Sequence, residues 1–135
     1  MIVLDTSILS LALRRRWTGA RPSSVERLEE MMRAQAALAI PGIVLQEVLS
    51  GIRVESQFSS LQTLLHGIPL LIASGGDHTL AAKIFNQCLD NGVSASHIDC
   101  LIAAQTIACH GRLWTLDRDF AAIARCSRLK FFRPA

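Results

Sequence analysis

The amino-acid sequence predicts a three-layer α/β/α sandwich with a central, mainly parallel sheet, and three observations carry that expectation. Short apolar, strand-like runs (MIVL at 1–4, ALAI at 37–40, RLWT at 112–115) are separated by longer segments of helical periodicity. Strands alternating with helices imply a parallel sheet covered on both faces. The 135 residues, 50% of them apolar and 19% charged, suffice for one domain with a real core and are too few for two ordinary ones. Residues 1–135 are therefore read as a single domain.

Taken in order, MIVL is a buried strand candidate, and residues 6–16 form a helix with Ile8, Leu9, Ala12 and Leu13 inward. RPSSVERLEEMMRAQ (21–35) opens on Pro22 and serines and runs helical through Val25, Leu28, Met31 and Met32. The apolar face of this helix is read first as core, although it could supply part of an interface. After the strand ALAI, Pro41 suits the first turn of a helix that carries Val44, Leu45, Val48 and Leu49 and stops near Gly51. A helix over 54–66 ends at Gly67. IPLLIA (68–73) contains Pro69, which makes it an edge strand or a plain connector.

Residues 77–90 predict a helix through Leu80, Ala81, Ile84 and Cys88, closed by Asn91 and Gly92 as a left-handed cap pair. HIDCLIAAQTIACHG (97–111) is a strong helix, with Ile98, Leu101, Ile102 and Cys109 at helical spacing and Gly111 just past its end. RLWT is a strand, RDFAAIAR (118–125) a helix, and LKFF (129–132) a last strand. The chain shows no internal repeat, low-complexity segment or linker.

Composition excludes several classes. The N-terminus has an acid at position 5 and no basic lead-in, so it is not a signal peptide, and no apolar stretch approaches the ~20 residues of a membrane span. A soluble, cytoplasmic protein is expected. Cys88, Cys100, Cys109 and Cys126 show neither C-x-x-C pairing nor zinc spacing, which suits reduced thiols packed as small hydrophobes. His66, His78, His97 and His110 are scattered, and His97 is read as an ordinary helix-start residue. The net charge of +3 is unevenly placed: Arg112, Arg118, Arg125, Arg128, Lys130 and Arg133 crowd the C-terminal end, and Arg14, Arg15 and Arg16 form a second cluster. Such patches suit a polyanion such as RNA, or simply a solvated face.

In open parallel sheets, reactive residues gather beyond the carboxyl ends of the strands. Asp5 and Asp117 sit where MIVL and LWT run out, and Glu47 and Asp99 lie on helices that could border the same crevice. Each has an ordinary explanation: Asp5 and Asp117 as N-caps, Asp99 at capping-box spacing from Ser96, Glu47 as surface decoration. Asp119, in a first turn, complements the helix dipole. Convergence changes the balance. Two carboxylates 4 Å apart repel by about 4 kcal/mol at an effective dielectric near 20, whereas a cap contributes only about 1 kcal/mol. A bound divalent cation offsets that repulsion, and an all-oxygen site suits Mg²⁺ or Mn²⁺.

The segments VLDTS (3–7), QEVLSG (46–51), DCLIAA (99–104) and LWTLDRDF (113–120) resemble, in order and spacing, the PIN domain and within it the VapC-type ribonuclease toxins of toxin–antitoxin systems. The resemblance covers nearly the whole chain. It implies that Asp5, Glu47, Asp99 and Asp117 are an acidic active-site quartet and that Thr6 and Thr115 line it. It implies an endoribonuclease using Mg²⁺ or Mn²⁺, with products bearing 5′-phosphate and 3′-hydroxyl ends. It also implies a cognate antitoxin whose tail enters the cleft, and a homodimer. Asp119 resembles the variable acid beside the quartet. Where family members often carry a leucine–arginine pair, this chain has Leu89 and Asp90, so a basic contact to RNA or a neighbouring subunit is missing.

On this reading Asp5 and Asp99 are the main metal ligands, and Asp117 joins a second ion or acts through water. Glu47 positions or deprotonates the nucleophile, and Arg112 and Arg118 are candidate clamps on the RNA backbone. Two rival readings stand beside it. A phosphotransfer domain of the aspartyl-phosphate type wants an acid pair and a placed lysine, but the first site reads DTS and the lysines are Lys83 and Lys130. A catalytically silent RNA-binding or protein-interaction module is free to lose an acid, and none is lost.

Overall fold

The computed structural model describes residues 1–13 and 23–134; the tail of the first predicted helix, with Arg14, Arg15 and Arg16, and Pro22 lie outside the described residues. The elements are β1 (Ile2–Leu4), α1 (Thr6–Leu13), α2 (Ser23–Arg33), β2 (Leu38–Pro41), α3 (Gly42–Leu49), α4 (Glu55–Leu65), β3 (Leu70–Leu71), α5 (Gly75–Asp90), α6 (His97–Ala108), β4 (Arg112–Trp114) and α7 (Asp119–Arg125). The strands form one sheet in the order β3-β2-β1-β4, and every neighbouring pair is parallel. Ile2 stands opposite Leu38 on one side and Arg112 on the other, and Leu4 opposite Trp114.

This strand order fixes where helices can go. The chain steps outward from β1 to β2 and β3, then returns across the sheet to β4. Right-handed crossovers put α1 to α4 over one face and α5 and α6 over the other. Packing agrees: α1 meets α2 and α3, and α3 meets α4, while α5 meets α6 and α7. The fold is thus the expected α/β/α sandwich. The direction of travel reverses between β1 and β4, so the chain leaves these neighbouring strands toward opposite faces and opens a crevice at their carboxyl ends.

The inner strands of the sheet are buried on both faces, while the edge strand β3 is exposed at Leu70. Val3, Leu4, Ala39, Ile40 and Leu113 are buried among Ile8, Val44, Ile102, Ala103 and Ala104. Burying a side chain of this size stabilises by about 1.5–3 kcal/mol, and α7 is held to the core by Phe120 and Ile123. On α2, Val25, Leu28 and Met31 face inward, so the core role of its apolar face is filled.

Several local expectations are corrected. Pro41 closes β2 with extended backbone (ψ 145°) and acts as the N-cap of α3, one residue before the first turn. α5 begins at Gly75 rather than at residue 77, because Ser74 and Asp77 form a reciprocal capping box. The 68–73 segment, by contrast, is an edge strand as expected: β3, paired with Ile40 and Pro41. LKFF is reduced to one bridge, Leu113 to Phe131, flanked by the Leu113 N–H donating to the Lys130 carbonyl at 2.8 Å.

Two helix ends also differ from expectation. Only Gly92 (φ 73°), not Asn91 (φ −101°), takes the left-handed position after α5. After α6 that position belongs to His110 (φ 55°), whose N–H donates to the Ile107 carbonyl while the Gly111 N–H donates to that of Thr106. Gly111 is needed for another reason: a Cβ there would lie 3.0 Å from Cys109 Sγ, 3.1 Å from the Met1 carbonyl and 3.2 Å from Val3 Cγ2. Gly111→Ala is expected to lower stability by about 1–3 kcal/mol in urea titrations. Gly75→Ala, where a Cβ meets nothing within 4 Å, is expected to be neutral or stabilising by up to about 1 kcal/mol.

Candidate active site

Asp5 follows β1 directly and is only 5% exposed. Its N–H donates to the Trp114 carbonyl at 3.1 Å, which extends the β1–β4 ladder one residue past the strand. A buried carboxylate needs donors in place of water, and two hydroxyls supply them. Thr115 Oγ1 donates to Asp5 Oδ2 at 2.6 Å, and Ser7 Oγ donates to the same oxygen at 2.9 Å. The same hydroxyl oxygens accept from the loop after β4: Ser7 Oγ from the Leu116 N–H at 2.9 Å, Thr115 Oγ1 from the Asp117 N–H at 3.0 Å. Each hydroxyl has one proton, so with both directed at Asp5 the 3.2 Å approach of Ser7 to Thr115 joins two oxygens that share an acceptor.

The other acids are placed by helix starts. Asp117 Oδ1 accepts from the Asp119 N–H at 2.9 Å, a side-chain turn that opens α7. The N-cap of α7 is Arg118, so Asp117 is not the expected cap; this turn occupies one of its two oxygens and leaves the other free to face the crevice. Ser96 Oγ accepts from the Asp99 N–H at 3.0 Å and caps α6, which sets Asp99 in the first turn. Carboxylate oxygens of Asp99, Asp117 and Asp119 all lie within 4.8 Å of one another. Asp99 is half-buried, and its carboxyl is pushed up to about 6. Burial is the main cause, a hydrogen bond with Ser96 opposes it, and the charges of Asp117, Asp5 and Asp119 add to the rise.

Asp5, Asp99 and Asp117 therefore share one electrostatic neighbourhood. Asp119, set apart by the sequence reading, joins them. Glu47 stands differently: it is exposed on α3, is not among the charges that shift Asp99, and is tied in by Thr6 Oγ1, which donates to Glu47 Oε1 at 3.1 Å. Thr115 touches Asp5 as well as lining the site. Ser7 is the residue that sequence reasoning passed over; its signal was a hydroxyl two residues after a strand-end acid, where a side chain can bond back locally.

Other candidates fall elsewhere. Arg112 begins β4, at the end of the strand away from the acids, and its guanidinium donates to the Phe131 carbonyl at 3.4 Å, so it is not positioned as the expected clamp. Arg118 is exposed beside the acids, at the N-cap of α7. His97, the first residue of α6, stacks on Phe85 with ring centroids 4.5 Å apart. Leu89 and Asp90 are exposed at the end of α5. All four cysteines are free, and burial, the largest cause, pushes the Cys100 thiol up to about 11.

The donor chemistry fits a hard dication. Around an octahedral ion about 2.1 Å from its ligands, donor oxygens sit roughly 2.9–4.2 Å apart. The three clustered aspartates need only small side-chain rotations from a 4.8 Å spread to reach that spacing.

Comparison with known proteins bears on this geometry. Residues 2–125 match the family model of the PIN domain. The chain is 33% identical over 133 residues to a VapC ribonuclease of Mycobacterium bovis and to Ribonuclease VapC11 of Mycobacterium tuberculosis, with 96% of each chain covered. Among solved structures it is similar to VapBC2 of Rickettsia felis bound to a promoter DNA fragment, with TM-score 0.77, 24% identity and 98% of both chains covered. FitAcB of Neisseria gonorrhoeae is similar at TM-score 0.77 and 19% identity, covering 98% of this chain and 97% of that one. At these identities the structural likenesses speak for the fold.

Asp99 links the site to stability. Its pKa, about 6 when folded against an ordinary 3.8, means the folded state holds a proton that the unfolded chain has released. The contribution of Asp99 to stability is fully present below pH about 4 and is lost as pH rises through about 6. In EDTA at pH 7.5, Asp99→Asn is expected to be more stable than the native chain by about 1 kcal/mol, after allowance for screening at a half-exposed site. The difference is expected to vanish at pH 4, as urea titrations at the two pH values would measure.

Proposed function

This chain belongs to the PIN domain family, and on that premise we propose that it is a divalent-cation-dependent endoribonuclease, the toxin of a toxin–antitoxin pair, with residues 1–135 forming one nuclease domain. The observation that carries the reading is the gathering of Asp99, Asp117 and Asp119 within 4.8 Å, with Asp5 close enough to raise Asp99 further. The names of its VapC ribonuclease relatives support RNA as the substrate. The VapBC structures support a cognate antitoxin as partner. A homodimer and a cytoplasmic location remain part of the proposal, and no helix among the described residues is long and apolar enough to cross a membrane.

In this mechanism Asp5, Asp99 and Asp117 would hold Mg²⁺ or Mn²⁺, and Asp119, within 4.8 Å of Asp99 and Asp117, would join them. When bound, such a cation activates water and neutralises charge on the phosphodiester. Glu47, oriented by Thr6, positions the attacking water or takes its proton. Thr115 and Ser7 are positioning residues: they hold Asp5 at a fixed angle to the crevice. An antitoxin that presents a guanidinium to these acids would offset the same repulsion and compete with the cation. A silent binding module is the second reading, but it gives no reason to assemble mutually repelling carboxylates.

Purified protein with labelled RNA tests the proposal. Mg²⁺ is expected to support cleavage and EDTA to abolish it. Asp5→Asn and Asp99→Asn are expected to reduce cleavage by at least about a hundredfold with unchanged circular dichroism, and Thr115→Val by about 10–100-fold. Cleavage that persists in EDTA would overturn the metal mechanism.

A further inference from the structure

A second concave site lies between α5, the end of α6 and the segment after α7. This cleft of about 530 Å³ is lined by Lys83, Arg125 and Arg128, with Gln87, Asn91 and Ser127 as further polar groups and an apolar wall that includes Leu80 and Ile107. No carboxylate of the described residues lines it. None of its three cations forms an ion pair with another described residue. Arg125 alone could be explained as the basic residue that complements the last turn of α7. Lys83 cannot, because it lies mid-helix on α5, and Arg128 lies beyond α7. Three cations with no ion-pair partner among the described residues repel one another around a shared hollow, as a site for an anion does.

We propose that this cleft binds the backbone of the RNA substrate away from the scissile bond. The inference rests on the ribonuclease reading above. α7 connects the two places: it begins at Asp119 among the clustered acids and ends at Arg125 at the cleft. Its length of about 10 Å lets one strand reach both. The arginines suit phosphate oxygens, which they can grip in pairs. The apolar wall suits the face of an unstacked base, and the amides of Gln87 and Asn91 suit base edges. A run of acidic side chains alone would use the cations but not the apolar wall. The cleft also gives the chain a basic RNA contact despite Asp90 in place of the family's arginine.

The test uses fluorescence anisotropy of a labelled single-stranded 20-nucleotide RNA in EDTA, with a four-nucleotide RNA beside it. Arg125→Gln/Arg128→Gln and, separately, Lys83→Gln change only exposed side chains, and Arg53→Gln controls for net charge. The double variant is expected to bind the long RNA about tenfold more weakly, and its plot of log affinity against log salt to flatten by about 0.7 per lost contact. Lys83→Gln should do the same for one contact, while the control and the short RNA barely change. In Mg²⁺ the double variant should raise KM for long RNA and leave kcat for the short one unaltered. Unchanged long-RNA affinity and salt slope in both variants would overturn the proposal, as would a loss confined to antitoxin binding. If the native chain cut no RNA in Mg²⁺, the nuclease reading would fail, while the anisotropy data would still judge the cleft.

Discussion

The hydrogen bond from Thr115 Oγ1 to Asp5 Oδ2, 2.6 Å long across 110 residues of sequence, is the contact on which the geometry of the site depends. It joins the residue after β1 to the residue after β4, neighbouring strands whose chains leave toward opposite faces. Ser7 doubles the link by donating to Asp5 and accepting from Leu116. Thr115 in turn accepts from the Asp117 N–H, and Asp117 accepts from that of Asp119. The order of the loop that carries two acids thus passes through one buried carboxylate. Without the hydroxyls, Asp5 would be a buried charge lacking donors, a penalty of several kcal/mol.

That clasp serves an arrangement that is electrostatically unfavourable in isolation. Asp99 shows it: burial and the neighbouring Asp117, Asp5 and Asp119 push its carboxyl up to about 6. A protein gains nothing in stability from such crowding, because a helix cap contributes about 1 kcal/mol and each close carboxylate pair opposes it with a few. The Ser96 cap of α6 and the Asp117 side-chain turn before α7 hold the acids in place against this repulsion. A cation, or a cationic side chain from a partner, reverses the sign of the crowding. The mouth of the sheet is therefore prepared for a positive ligand, while the cleft at the far end of α7 is prepared for a negative one.

Much of this was legible in the sequence, because the signals were long or local. Alternation of strands with helices predicts the parallel sandwich, and acids just past MIVL and LWT predict the site. What escaped depends on distant partners. LKFF has strand composition, yet it meets only the outer edge of β4 and forms a single bridge. Gly111 looks like a helix stop, but His110 takes the left-handed backbone and Gly111 is required by the approach of Met1 and Val3. Asp117 and Asp119 can be ranked by distance from the strand end, but not by where a helix turn swings each carboxylate, and Asp119 joins the cluster. Ser7 looked like a helix-start residue, since nothing local announces that Leu116 lies above it. Lys83 carried no signal at all, because its neighbours Arg125 and Arg128 are some forty residues away in sequence.

Anomalous diffraction from crystals of the protein soaked in Mn²⁺ shows where a dication goes without relying on activity. The expected result is a peak within coordination distance of Asp5, Asp99 and Asp117, with Asp119 beside it. A saturating soak that leaves this mouth without a peak, or places manganese only at other surface acids, would contradict it.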